Sequence, residues 1–338
     1  MRTSPAFLIP ALVCLTHPLQ AAEPTRCLSA AEARVALTEG PEAAYFDRLQ
    51  IPEMRAKTGL PLVGLSLSEA RAAARAHYAA ATLDFTPEEQ AMLQGIVQRM
   101  LPGLRAISPF LASRTFSFIK VKDTVEGGLP HTRGAHIVLG QGILGSFLQA
   151  QRHGALVMLD RFAASLFIHE QAHVFERLDA PRFQALFTEV FGFRRLSATP
   201  DHPWLAERRV INPDGPDLGW AFPVQLKGKA TWIRPDLILG DLEHPRMPQD
   251  FRMVAVVLEE KGGTLSMALD DQGHPQVLDL AEVTGYANAF PNADEFYHPH
   301  EIAADLLATL VCGVPPRENP GHPLRAKTAA WVKANLQN

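Results

Sequence analysis

Phe167-Ile168-His169-Glu170-Gln171-Ala172-His173-Val174-Phe175 is the stretch on which the reading of this chain turns. His169 and His173 stand four residues apart. On a helix that spacing stacks both imidazoles on one face, where two neutral ring nitrogens can grip one Zn2+ at roughly 2.0–2.1 Å each. Glu170 lies about 100° further around the axis. It does not share the metal position, but it reaches a water held there and can take its proton. The apolar neighbours, with Phe162 and Leu166 upstream, predict an amphipathic helix over residues 158–178. The bland alternative is a pair of surface histidines beside an ordinary glutamate.

A zinc site needs a third protein ligand. The preferred candidate is Glu301, in Tyr297-His298-Pro299-His300-Glu301-Ile302-Ala303-Ala304-Asp305. Pro299 suits a first helical turn, which puts Glu301 in that turn and Asp305 four residues on, along the same face. A carboxylate at Asp305 can accept a hydrogen bond from the free nitrogen of a ligating histidine and fix its tautomer. Asp179, six residues after His173, and Glu189 remain rival ligands, although capping before Ala180-Pro181 also accounts for Asp179. Tyr297, His298 and His300 cluster just before Glu301, and Tyr297 or His298 is a candidate donor to a developing oxyanion. His131 and His136 read as ordinary polar side chains.

HExxH on one helix followed by ExxxD on a later one resembles the gluzincins, the thermolysin-like superfamily of zinc metallopeptidases. The resemblance implies that His169, His173 and Glu301 bind one zinc per chain. By the same resemblance Glu170 is the general base and Asp305 orients a ligand. It also implies a zincin-like α+β fold, with the active-site helix packed on a small mixed sheet and a helical C-terminal half. The strand at residues 134–139 would then be the edge strand lining the cleft. The likeness covers two short helices, and it departs from the family in spacing, since residues 195–295 intervene between the ligand helices.

The chain has 338 residues, 47% of them hydrophobic, and a formal net charge of −4 with both signs interspersed. That is enough to bury a large core, and no basic block points to nucleic acid. Arg2, the apolar run of residues 6–15 and the small residues ending at Ala22 follow the order of a secretory leader, so residues 1–22 are expected to be removed on export to the periplasm or medium. The mature chain then has no membrane span. It keeps two cysteines, Cys27 and Cys312, which an oxidising compartment would allow to pair as a disulfide staple.

The expected layout beyond the leader is an N-terminal helical segment (23–110), a subdomain carrying the HExxH helix (111–194), an irregular and β-rich insertion (195–295) and C-terminal helices (296–338). Thr86-Pro87-Glu88-Glu89 predicts a helix start, with a stop before Pro102-Gly103. Residues 114–125 and 134–139 read as strands, the second with Ile137 and Leu139 on one face. Residues 197–250, dense in Pro, Asp and Gly, read as a surface excursion. Residues 251–260 and 264–268 form a strand pair turned at Gly262-Gly263. The expected activity is hydrolysis of a peptide or protein. The alternative is an exported zinc-binding interaction module without hydrolytic activity.

Overall fold

The computed structural model describes residues 23–215, 218–291, 296–313 and 322–337, so the expected leader lies outside the described residues. The fold is α+β. Its first half runs β1 (Thr25–Cys27), α1 (Ala30–Thr38), α2 (Ile51–Thr58), α3 (Leu67–Ala80), β2 (Thr82–Leu83), α4 (Pro87–Ile107), β3 (Phe116–Val121), β4 (His131–Arg133), β5 (His136–Gly140), α5 (Gln141–Arg152) and α6 (Leu156–Leu178). The second half runs α7 (Ala180–Ala185), β6 (Arg194–Arg195), α8 (Pro203–Arg208), β7 (Trp220–Leu226), β8 (Lys229–Leu239), β9 (Phe251–Lys261), β10 (Thr264–Met267), β11 (Val277–Asp279), α9 (Thr284–Ala289), α10 (Pro299–Cys312) and α11 (Pro323–Asn335).

Local sequence sets the helix starts. Ser29, Ser66 and Thr86 each accept from the backbone three residues on, where a glutamate returns the bond, so α1, α3 and α4 all open on a capping box. α4 does not stop before Pro102 as its sequence predicts. It continues to Ile107, because Met100 and Leu104 on either side of the proline are both buried, and their packing outweighs the lost backbone bond.

The first sheet has the order β1-β3-β5-β4, with β2 also pairing with β3. β3 is parallel to β1 and β5, and β4 closes the edge antiparallel to β5. Period-two alternation divides its side chains between two cores. Phe116, Phe118, Ile137 and Leu139 join the core with α4, α5 and α6, while Ile119, Val121 and Val138 face the N-terminal helices. β5, expected to be the edge strand, is therefore interior, and the short β4 is the edge. Three residues, His131 to Arg133, are too few to show a hydrophobic period in sequence.

The second sheet is antiparallel, in the order β10-β9-β8-β7-β6, with β11 on β9. One face, including Phe222, Ile233, Leu239 and Ala255, merges with the core that buries Phe167 and Ile302. The other, including Ile238, Val254, Val256 and Leu258, packs with Leu205 of α8. Within residues 197–250, the stretch 220–239 is thus no surface excursion, whereas residues 240–250 are irregular and largely exposed as expected. Pro223 and Pro235 inside β7 and β8 disguise two paired strands, because proline is normally kept out of sheet interiors.

Cys27 and Cys312 are both free and half-buried, which corrects the expected disulfide. Each packs against the main core. Burial pushes the Cys27 thiol up to about 11 and raises Cys312 as well. Among the described residues no helix is long and apolar enough to cross a membrane.

Candidate metal centre

Two helices supply the site. α6 is almost wholly buried from Phe167 to Glu176, which fixes its rotation and turns His169 and His173 toward α10. α10 starts where His298 caps it, its Nδ1 accepting the His300 N–H at 3.3 Å, with Pro299 in the first turn. Glu301 follows in that turn, 1% exposed, and meets both histidines. Its Oε2 lies 3.2 Å from His169 Nε2 and 3.4 Å from His173 Nε2, and the two Nε2 atoms are 3.2 Å apart. Bonds of roughly 2.0–2.1 Å at a tetrahedral centre would set ligand atoms roughly 3.3 Å apart. These three residues form a group that can hold a metal ion.

The donor chemistry points the same way. His169 Nδ1 is 3.0 Å from Asp305 Oδ1, and His173 Nδ1 is 2.9 Å from Glu176 Oε2. A carboxylate only accepts, so each Nδ1 carries a proton and each Nε2 of a neutral ring presents a lone pair. Two such lone pairs and a carboxylate oxygen then face one another, an arrangement that needs a cation or extra protons between them. Burial disfavours charged imidazole at His169, but Asp305 and Glu301 outweigh it and push its pKa well above the usual histidine value. At His173 burial is likewise outweighed, by Glu301 and Glu176. Burial would raise the Glu301 carboxyl, yet His173 and His169 hold it well below its ordinary range. The pocket is built to stabilise positive charge.

Glu176 is the anchor that sequence reading missed. It is 2% exposed, and its Oε2 also meets His300 Nδ1 at 2.7 Å. The signal was available: a glutamate three residues after His173 shares its helix face. Partners of this kind typically alter metal affinity 10- to 100-fold. Glu176→Ala is expected to weaken metal binding by about that factor, read by competition with a chelator of known affinity.

Glu170 is 3% exposed and sits beside the cluster. Its Oε2 accepts from the Thr132 hydroxyl at 2.8 Å, and the same hydroxyl lies 2.9 Å from the Glu170 carbonyl. Edge strand β4 thus aims the carboxylate, through a residue that nothing in the sequence singled out. The strap at residues 211–215 crosses the same place. Asn212 donates to Glu301 Oε1, and Asp214 accepts from the Thr132 backbone N–H. Burial and the neighbouring Glu170 raise the Asp214 carboxyl well above its ordinary value. The strap is tied down at Ile211, whose N–H donates to Glu53 at 2.6 Å and whose carbonyl accepts from Lys57 Nζ at 2.6 Å.

The other sequence candidates fall in varied places. Tyr297 is buried and lines the cleft beside His169 and Glu170. His298 is the α10 cap, stacked on His300 with ring centres 4.8 Å apart. Asp179 pairs with Arg182 at 2.9 Å, and Glu189 is exposed; neither joins the cluster. Set beside protein-family models, curated proteins and solved structures, the chain matches none of them.

Proposed function

We propose that this chain is a zinc-dependent hydrolase of the gluzincin kind, a peptidase cleaving amide bonds with Glu170 as general base. The observation that carries the reading is the convergence of His169 Nε2, His173 Nε2 and Glu301 Oε2 within 3.2–3.4 Å, with Glu170 alongside. Only three protein ligands meet there among the described residues. Catalytic zinc sites keep a fourth position open, whereas structural ones close with four protein ligands. A helix carrying HExxH, packed beside a mixed sheet with an antiparallel edge strand and crossed by a helix carrying ExxxD, supports a zincin-like arrangement.

His169, His173 and Glu301 would hold the ion, and a bound zinc supplies Lewis acidity and lowers the pKa of water toward neutrality. The protein's own groups do the rest. Asp305 and Glu176 keep the Nδ1 protons in place, so both Nε2 atoms stay available. Thr132 holds one oxygen of Glu170, which leaves the other to accept a proton from the attacking water and deliver it to the departing amine. Asn212 fixes the second oxygen of Glu301. The leader-like residues 1–22 support export, with the substrate an extracytoplasmic peptide or protein.

The test is a chelation cycle on purified protein. Hydrolysis of a mixed peptide library is expected to vanish when the metal is stripped and to return with one equivalent of Zn2+. Cleavage that survives stripping would remove the metal from the mechanism.

A further inference from the structure

The cleft beside the cluster encloses about 510 Å³, and its lining runs from His169 and Glu170 to His131. Its walls are largely apolar: Phe162 and Leu166 from α6, Leu129 from the turn before β4, and Leu237, Phe251 and Met253 from the second sheet. A space of this size takes a large hydrophobic side chain together with the peptide that flanks it. Among its lining groups, His131 has a hydrogen-bonding requirement the protein does not meet.

His131 is 2% exposed, and its Nδ1 lies 3.0 Å from the Leu129 carbonyl. A carbonyl only accepts, so the proton is on Nδ1. Burial pushes this histidine down to about 4, so no second proton resides on the ring near neutral pH. Nε2 is then a bare lone pair, buried and without a hydrogen-bond partner among the described residues. The nearby donors are committed elsewhere. Lys57 Nζ serves Ile211, Tyr45, Glu53 and Glu126, and the Tyr45 hydroxyl is 2.5 Å from Glu126. A buried acceptor left unmet is costly, and native proteins rarely tolerate one without a reason.

We infer that this cleft is a tyrosine-selective subsite, in which the apolar walls hold the ring of a substrate tyrosine and His131 Nε2 accepts its hydroxyl. Other side chains fit the chemistry less well. A phenylalanine leaves the acceptor unmet. A lysine or arginine would lose its hydration against Leu, Phe and Met side chains, and the carboxylates of the lining are already engaged, Glu126 by Lys57, Asp305 by His169, and Glu170 and Asp214 by Thr132. Serine and threonine are too small to fill the space, and tryptophan carries its N–H on the side of the ring rather than at the tip. The assignment rests on the proposed peptidase reading for its view of the ligand as part of a peptide, but the binding chemistry stands apart from hydrolysis.

The experiment therefore measures binding and cleavage separately. N-acetyltyrosinamide and N-acetylphenylalaninamide are titrated into the zinc-loaded full chain by ligand-observed NMR. A hydrogen bond of ordinary net strength predicts about three- to tenfold tighter binding of the tyrosine compound. His131→Leu should erase the preference, and His131→Gln, which keeps an acceptor, should retain part of it. Equal binding of the two compounds to the wild-type protein overturns the assignment, as does a preference unchanged in His131→Leu. Peptide pairs differing only in Tyr or Phe are then assayed for cleavage. A tyrosine preference in binding with no cleavage of either peptide keeps the subsite and sinks the peptidase reading.

Discussion

Glu170→Gln is expected to lower kcat/KM for peptide hydrolysis by about 100- to 10,000-fold, the range usual for a lost general base, while zinc stays at wild-type stoichiometry. Glu170 does not belong to the three-residue cluster, so the ion's ligands are untouched. The glutamine is nearly isosteric, and its amide oxygen can still accept from the Thr132 hydroxyl, so the local packing persists. What it lacks is the ability to take up a proton. Measuring metal content and steady-state kinetics on the same preparation separates a chemical defect from a folding one. Wild-type rates in this variant would rule out Glu170 as the base.

Lys57→Met is expected to destabilise the fold by about 3–5 kcal/mol, because removing one partner leaves buried charge uncompensated. Lys57 is 1% exposed, with Glu53 and Glu126 each 3.1 Å away. Burial already drives Glu53 up to about 6, and Lys57 is the main force opposing that rise. Glu126 lies below its ordinary value even though burial alone would raise it, again because of Lys57 first. Without the ammonium both carboxylates lose that support, and the Ile211 carbonyl loses its donor. The consequence reaches the site, since Ile211 begins the strap that places Asn212 on Glu301 and Asp214 on Thr132. Urea denaturation at neutral pH measures the loss. A change under 1 kcal/mol would show that the network contributes far less than its burial implies.

The parts of this architecture that repeat at a fixed period were legible in the sequence. The helix bearing His169 and His173, the capping box at Thr86, the Ile137–Leu139 face and the helix opening at Pro299 all follow from spacing and cap chemistry. Four-residue spacing also puts Glu301 and Asp305 on one helix face, but their meeting with His169 and His173 is expected only from the need for a third zinc ligand and from the resemblance to gluzincins. The groups that complete the site come from chain segments with no local signature. Thr132 is one residue in a three-residue strand, and its value lies in facing Glu170 across 38 positions of sequence. Asn212 and Asp214 sit in a Pro/Asp/Gly run that reads as loop, and only tertiary contact with Lys57 and Glu53 turns it into a fixed strap. Pro223 and Pro235 hid two long strands for the same reason: pairing partners, not local preference, decided them.

The most direct measurement is the zinc content of the purified chain beside that of Glu301→Ala, by elemental analysis after exhaustive dialysis. The account predicts about one zinc per wild-type chain and its loss in the variant, because two imidazoles alone leave the tetrahedral site with half its ligands. Full retention of zinc in Glu301→Ala, or no zinc in the wild-type chain after supplementation, would contradict it.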